Sequence, residues 1–378
     1  MKFTASASEL KSALRAACEV VPSRAILPEQ SCIFMQAKGD SLRVFGRDET
    51  AEIALSCACS VQREGQALVP ARTFLDYVSL ASGDVSVSVD QKNVMTIVSG
   101  NKKSTVTCLD SDRFRPLDFG GQPLFTAPGP RLAACFDRVS FAVSTDETRK
   151  QICGVHMDID PGGLVRFVAM DGFRVALCAL PVELSAPIPE NKKLIVPREV
   201  LKLISSLFSG ASSVSFVVEQ YRACLESEDR QLAFPLMTKE YVQYERVIPQ
   251  SYSVRVLLSA RAFMDALNLT SIAAAAAPAN SQRQNLIRLV ISSQENTVRL
   301  SADSASTTAD TDVPCLVEGP DMIVFFNVNY LKDSTAVSMK ESDDLLLCFT
   351  TNVGVCMAAP KESENNLQTF VVPVRVRE

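Results

Sequence analysis

The chain repeats one pattern of apolar residues three times, and this repeat constrains its fold more than any other feature. Each copy opens with a short apolar stretch that ends at Phe3, Phe125 or Val256. Large apolar residues follow seven and eleven residues later, a spacing that places both on one face of a helix. They are Leu10 and Leu14, Leu132 and Phe136, and Phe263 and Leu267. The pattern predicts a strand and then an amphipathic helix at the start of each copy.

Further along, the three copies keep matching in order and spacing. A strand end followed by aspartate lies 45, 46 and 47 residues after the opening apolar residue, at Asp48, Asp171 and Asp303. A second helix start follows in each copy, and two of the three carry proline, which loses no hydrogen bond at a helix's first turn. These starts are Val69-Pro70, Val196-Pro197 and Phe326-Asn327.

The segments around these helices alternate apolar and polar residues, as in Val85-Ser86-Val87-Ser88-Val89, which is typical of half-buried strands. Two helices packed on antiparallel sheets would bury the apolar faces of both elements. The sequence therefore predicts an α+β protein of three like domains, at residues 1–122, 123–251 and 252–378.

Composition limits the environment and the partners. The twelve cysteines are scattered, which favours reduced core residues in a cytoplasmic protein over a disulfide framework. The amphipathic N-terminus lacks the apolar run of a signal peptide, and no stretch approaches the roughly 18 to 20 apolar residues of a membrane span. With 38 basic and 43 acidic residues, the net charge of −5 argues against a protein that grips nucleic acid electrostatically.

The residues of a catalytic or metal site are missing from the sequence. The single histidine, His156, lies in an alternating apolar strand and is better explained as structural than as a general base. The sequence has no Cys-x-x-Cys pair for zinc and no glycine-rich phosphate loop. We expect no catalytic residue, no metal and no cofactor.

Six short motifs, in order and spacing, resemble the bacterial DNA polymerase III beta subunit, the sliding clamp that serves as a processivity factor. The resemblance covers the whole chain. The motifs are Arg149-Lys150-Gln151-Ile152-Cys153-Gly154-Val155, Met170-Asp171-Gly172-Phe173-Arg174-Val175, Lys193-Leu194-Ile195-Val196-Pro197, Tyr244-Glu245-Arg246-Val247-Ile248-Pro249, Phe326-Asn327-Val328-Asn329-Tyr330 and Val372-Pro373-Val374-Arg375-Val376.

The resemblance implies three tandem copies of the DNA clamp fold and a head-to-tail homodimeric ring. Such a ring encircles duplex DNA by closure, so strong base contacts are unnecessary. The implied function is that of a non-catalytic clamp that tethers the replicative polymerase. The implied partners are double-stranded DNA without sequence preference, a second copy of the chain, the DNA polymerase III alpha subunit, the clamp loader and other clamp-binding-motif proteins.

The resemblance also assigns three sets of residues. DNA-facing positions are Arg24, Arg149, Lys150 and Gln151. A groove for an extended partner peptide matches Ile152, Gly172, Phe173, Arg174, Val175, Val242, Arg246, Val247, Asn327, Tyr330, Val353, Val355, Val372, Pro373, Val374, Arg375 and Val376. Dimer-interface positions are Val106, Cys108 and Ile272.

Two features keep a second interpretation open. The family usually has Thr-Asp-Gly-His-Arg-Leu where this chain has Met170 to Val175, and proline where it has Val242. Together with the acidic charge, these departures allow a three-repeat interaction scaffold that keeps the clamp fold without encircling DNA. A solution mass separates the two, since a ring requires a dimer.

Overall fold

The first repeat begins with a strand and a helix, as predicted. The structure is a computed structural model that describes residues 1–278, 281 and 284–376. The elements of this repeat are β1 (Lys2–Ser6), α1 (Ala7–Val20), β2 (Cys32–Lys38), β3 (Ser41–Arg47), β4 (Glu52–Ala58), β5 (Ser60–Arg63), β6 (Gly65–Pro70), α2 (Ala71–Ser79), β7 (Asp84–Val89), β8 (Val94–Ser99) and β9 (Lys102–Thr107).

The second repeat has the same order of elements. They are β10 (Pro123–Ala127), α3 (Gly129–Ser140), β11 (Gly154–Ile159), β12 (Leu164–Met170), β13 (Arg174–Pro181), β14 (Glu183–Leu184), β15 (Lys192–Pro197), α4 (Arg198–Phe208), β16 (Val214–Glu219), β17 (Arg222–Glu226) and β18 (Arg230–Pro235). Pro70 and Pro197 end strands immediately before α2 and α4, one position earlier than predicted. Proline fits there because its fixed backbone angle suits the extended residue that precedes a helix.

The third repeat fuses two strands that are separate in the other copies. Its elements are β19 (Val254–Ser259), α5 (Ala260–Ala275), β20 (Leu286–Ser292), β21 (Thr297–Asp303), β22 (Thr308–Glu318), β23 (Met322–Asn327), α6 (Val328–Ser338), β24 (Asp344–Phe349), β25 (Cys356–Pro360) and β26 (Gln368–Val371). Strand β22 pairs with β21 through its first half and with β19 through its second half. In the first repeat β4 and β5 divide this role, and in the second β13 and β14 do.

The strand pairs correct the predicted alignment of the third repeat by one residue. Gly46 pairs with Ile53, Ala169 with Ala176 and Ala302 with Ala309. The opening apolar residues Phe3, Phe125 and Val256 pair with Val61, Leu184 and Val317. Ile53, Ala176 and Ala309 each lie eight residues before these partners. Ala302, rather than Ser301, is therefore the equivalent of Gly46. Asp303 is then the equivalent of Arg47 and Met170, inside the strand, so the aspartate of the third repeat does not match Asp48 and Asp171.

A small residue is required at this position because the first helix crosses close to it. A Cβ atom on Gly46 would lie 2.2 Å from the carbonyl oxygen of Ala17 in α1. The equivalents Ala169 and Ala302 are also buried, at 0% and 4% exposure. All three repeats thus place a small, buried residue at this position.

The described strands form three antiparallel sheets. Their orders are β5-β1-β7-β8-β9, β14-β10-β16-β17-β18-β4-β3-β2-β6 and β15-β11-β12-β13-β26-β25-β24-β19-β22-β21-β20-β23. The two larger sheets each join neighbouring repeats in the same way: the last strand of one repeat pairs with the fourth strand of the repeat before it. These junctions are β18 with β4 and β26 with β13.

Contacts divide the chain into two compact units. One comprises residues 1–133, 182–187 and 199–236, and holds the five-stranded and nine-stranded sheets. The other comprises residues 134–181, 188–198 and 237–378, and holds the twelve-stranded sheet. The predicted threefold repetition of the clamp fold is confirmed, while the predicted domain limits at 122 and 251 remain predictions.

The cysteines behave as core residues. All twelve are free and ten of them are buried. Burial raises the pKa of the Cys32 thiol to about 11 and that of the Cys224 thiol to about 12, which leaves both protonated and unreactive at neutral pH. Separately, none of the helices in the described ranges has the length and apolarity needed to cross a membrane.

Candidate functional site

Three of the predicted groove residues, Gly172, Phe173 and Arg174, lie at the turn between β12 and β13. Asp171 Oδ1 accepts hydrogen bonds from the backbone N–H groups of Phe173, at 2.9 Å, and Arg174, at 3.0 Å. Gly172 adopts φ +97°, a conformation that favours glycine. The Asp-Gly pair therefore builds a tight turn that leaves Phe173 55% exposed.

Aromatic and cationic side chains assemble beside this turn. The Phe173 ring stacks on the Tyr330 ring, with centroids 5.8 Å apart. The Arg174 guanidinium lies 4.9 Å from the centre of the Tyr330 ring, and its Nε donates to Asp171 Oδ2 at 2.9 Å. Arg174 also pairs with Asp333 in α6. Asn327 accepts from the Asn329 N–H as the N-cap of that helix, which holds Tyr330 in its first turn.

The C-terminal segment forms the next wall of the predicted groove. The Val372 N–H donates to the Phe173 carbonyl at 2.9 Å, and the Val374 N–H donates to the Phe325 carbonyl at 2.8 Å. Pro373, which has no N–H to satisfy, lies buried between them. Val374, Arg375 and Val376 line a cavity of about 660 Å³. Val372 and Val376 are exposed.

A second group of predicted residues joins an apolar cluster in the same unit. Val175 is buried there, and Val247 and Val355 pack against it partly buried. Arg246 and Val353 are exposed, and Val242 lines a cavity of about 450 Å³. Ile152 is 3% exposed at the end of a short 3-10 helix, so it and Val175 are core residues beneath any surface that binds a partner.

The predicted DNA-facing residues divide into free and engaged side chains. Arg24, in the loop between α1 and β2, and Lys150 are exposed, and Gln151 is half-buried. Arg149 instead donates from Nη2 to the Asp171 carbonyl at 3.0 Å and from Nε to Asp146 Oδ2 at 2.9 Å. Sequence spacing did not reveal this contact between a DNA-facing residue and the groove turn.

The predicted interface residues lie in two different environments. Val106 and Cys108 are 7% and 4% exposed within the single chain, whereas Ile272 on α5 is 69% exposed. Leu269, one turn before Ile272, is 46% exposed. The first repeat also exposes three apolar residues outside the predicted set, Tyr77, Leu80 and Val98. The helical spacing of Tyr77 and Leu80, off the buried face of α2, is the signal that could have identified them.

His156 has the surroundings of a structural residue. Its ring stacks on Tyr241 with centroids 4.6 Å apart, and only 3% of the residue is exposed. Burial lowers the pKa of the imidazole from its ordinary value of 6.5 and so favours the neutral form. Within residues 1–278, 281 and 284–376, no three His, Cys, Asp or Glu side chains converge as metal ligands would.

Comparison with known proteins agrees with this architecture. The sequence model described as DNA polymerase III beta subunit, N-terminal domain, matches residues 1–118, and that of the central domain matches residues 127–242. The beta sliding clamp of Pseudomonas aeruginosa is 25% identical over 382 residues and covers 100% of both chains. That of Synechocystis is 26% identical over 357 residues, covering 88% of this chain and 89% of its own.

Solved structures agree as well. The DNA polymerase III subunit beta of Pseudomonas aeruginosa superposes with a TM-score of 0.89 at 22% identity, and the Bacillus subtilis sliding clamp with 0.90 at 20% identity. Both comparisons cover 100% of each chain. The fold and the sequence matches define a non-catalytic clamp of the DNA replication machinery. The chain belongs to the DNA polymerase III beta subunit family.

Proposed function

We propose that two copies of this chain close head to tail around duplex DNA and hold a polymerase there. The observation that carries this proposal is an unfinished junction at each end of the repeat array. Among the residues that the structure describes, strand β9, the last of the first repeat, ends its sheet with one edge unpaired. The first half of β22 pairs with β21 on one side only. These edges correspond to the two halves of the internal junctions.

The internal junctions predict the register of the missing one. Ladders of paired residues cross each repeat from its opening residue: Phe3-Val87-Ile97-Ser104, Phe125-Phe216-Leu225-Leu232 and Val256-Leu347-Ala358-Thr369. The second ladder continues to Ile53 and the third to Ala176. Ala309 is the equivalent of both. Ser104 of one copy therefore faces Ala309 of the other, and Lys103 faces Asp310.

The exposed side chains suit this pairing. Lys103 and Asp310 are both exposed, and opposite charges on directly paired residues stabilise antiparallel strands. Pairing would also cover two strand edges that otherwise invite aggregation. Leu80 in the first repeat and Ile272 in the third add exposed apolar surface to the two repeats that carry the unpaired edges of β9 and β22. Val106 and Cys108 then contribute through the backbone of β9 and the residues after it.

A charge exchange tests the register. Lys103→Glu and Asp310→Lys each place like charges in contact, at a cost of about 1 kcal/mol per junction. Because the ring has two junctions, each variant raises the dimer dissociation constant about thirtyfold. The double variant restores it. Sedimentation velocity over a concentration series measures the constant. Lys92→Glu, an exposed charge in the β7–β8 turn, is the matched control. Failure of the double variant to recover dimerisation excludes the register.

The groove residues support binding of an extended peptide. Phe173 and Tyr330 offer stacked aromatic surface, the tail from Val372 to Val376 offers apolar and cationic groups, and Val247 and Val355 offer an apolar patch. Such a surface suits a short segment with leucine or aromatic anchors. The partners we assign to it are the DNA polymerase III alpha subunit, the clamp loader and other proteins that carry the same kind of motif.

Contact with DNA requires only weak phosphate binding when a ring provides retention. Arg24 and Lys150 are exposed cations that can pass from one phosphate to the next as the ring moves. The net charge of −5 fits this arrangement, because closure and not attraction keeps the clamp on the duplex. We assign the protein to the cytoplasm, where the chromosome is replicated.

A further inference from the structure

Arg149 stands between the two sites proposed above. Its side chain is 43% exposed, so a DNA phosphate can reach it. Its Nη2 nevertheless donates to the Asp171 carbonyl at 3.0 Å, and its Nε donates to Asp146 Oδ2 at 2.9 Å. One guanidinium therefore ties the loop that carries Lys150 to the turn that carries Phe173.

The turn that Arg149 contacts shapes one wall of the groove. The Asp171 carboxylate accepts from the Phe173 and Arg174 N–H groups and from Arg174 Nε. Arg149 also packs directly on Gly172, since a Cβ atom there would lie 2.7 Å from Arg149 Nη1. The positions of Phe173 and Arg174 against Tyr330 thus depend on a turn that the guanidinium braces.

We infer that Arg149 is a positioning residue of the peptide groove and that duplex DNA and the partner peptide are negatively coupled through it. This inference rests on the proposed function. A phosphate is bound best by two N–H groups of one guanidinium, and such a contact takes Nη2 away from the Asp171 carbonyl. Released from Arg149, the turn is less ordered, and a peptide must then spend binding free energy to order it.

Thermodynamic linkage makes the effect reciprocal. If bound duplex lowers the affinity for the peptide by some factor, saturating peptide must lower the affinity for the duplex by the same factor. We expect about a fivefold change, at the lower end of coupling between distinct sites. Binding of both ligands is therefore measured in both orders.

The experiment uses the full-length protein, a fluorescein-labelled peptide with a Leu-Phe pair, and a short oligonucleotide duplex at low salt. Fluorescence anisotropy gives the peptide dissociation constant with and without duplex. In the unchanged protein the duplex raises it about fivefold. Arg149→Lys keeps a cation for phosphate but loses the second hydrogen bond, so its peptide binding is weaker from the outset and insensitive to duplex.

Lys150→Ala is the matched control, because Lys150 is the exposed cation next in sequence. It weakens duplex binding but keeps the full effect of saturating duplex on the peptide. A peptide affinity that is unchanged by saturating duplex, or a coupling that survives in Arg149→Lys, overturns the inference and leaves the proposed function intact. Absence of duplex binding by the unchanged protein overturns the inference alone, because ring closure can retain DNA without strong affinity. Absence of peptide binding overturns both the inference and the proposed groove.

Discussion

At the residue scale, Phe173 is held outward by a turn and supported from behind by another aromatic ring. It is 55% exposed, and its ring stacks on Tyr330 at 5.8 Å. A large, rigid and half-exposed aromatic side chain loses little entropy on binding, which is typical of residues that dominate binding energy.

Phe173→Ala should therefore lower the affinity for the partner peptide about tenfold, as expected for loss of a central aromatic contact. Fluorescence anisotropy measures the affinity, and circular dichroism verifies the fold. Tyr221→Ala removes another exposed aromatic, 69% exposed in the turn between β16 and β17, and should leave peptide affinity unchanged. Equal losses in both variants would remove Phe173 from the groove.

His156 supplies a prediction about pH. Burial is the main cause of its lowered pKa; Lys193 lowers the pKa further, while Asp158 and Glu245 oppose the shift. Since the unfolded imidazole takes up a proton near pH 6.5 and the folded one resists it, folding stability should fall as pH drops below 6.5. His156→Leu removes this contribution. Urea denaturation at pH 7.5 and 5.5 should show a smaller loss on acidification in the variant; equal losses contradict the assignment.

Family motifs in the sequence assigned Phe173 and Tyr330 to the proposed groove, but they did not reveal the Arg149 contact. Arg149 and Asp171 are 22 residues apart and belong to different elements, so no periodicity links them. Likewise Val106 and Cys108 matched interface positions, yet burial of their side chains depends on the fold around β9.

At the scale of elements, all three repeats keep a small buried residue at the position where α1 approaches β3 in the first repeat. The three repeats fill it with Gly46, Ala169 and Ala302. The apolar spacing in the sequence predicted the helices and their buried faces correctly. In the third repeat, sequence spacing matched Ser301 with Gly46, whereas strand pairing matches Ala302. Only strand pairing shows which residue faces the helix.

Gly46→Ala tests this contact. Its new Cβ would lie 2.2 Å from the Ala17 carbonyl oxygen, so the backbone must shift. We expect this shift to lower the free energy of unfolding by about 2 kcal/mol. Gly210→Ala is the control, since nothing lies within 4 Å of its Cβ position. Urea denaturation measures both. If the two variants prove equally stable, α1 does not approach β3 as described.

At the scale of the whole molecule, the repeats explain how an acidic chain can serve DNA replication. At two junctions inside the chain, the last strand of one repeat pairs with the fourth strand of the repeat before it. Pairing of β9 with β22 would form the same junction between two copies. A closed ring holds a duplex by topology, so its affinity for DNA can stay low. The scaffold alternative shares the fold but lacks this retention.

Retention on DNA is the most direct test. The protein is loaded by its clamp loader and ATP onto nicked circular plasmid and passed through a gel-filtration column at high salt. We expect it to elute with the circular plasmid and to leave the DNA once a restriction enzyme linearises it, because a ring slides off the ends. Protein that stays bound to the linear DNA, or never elutes with the circle, would contradict encirclement.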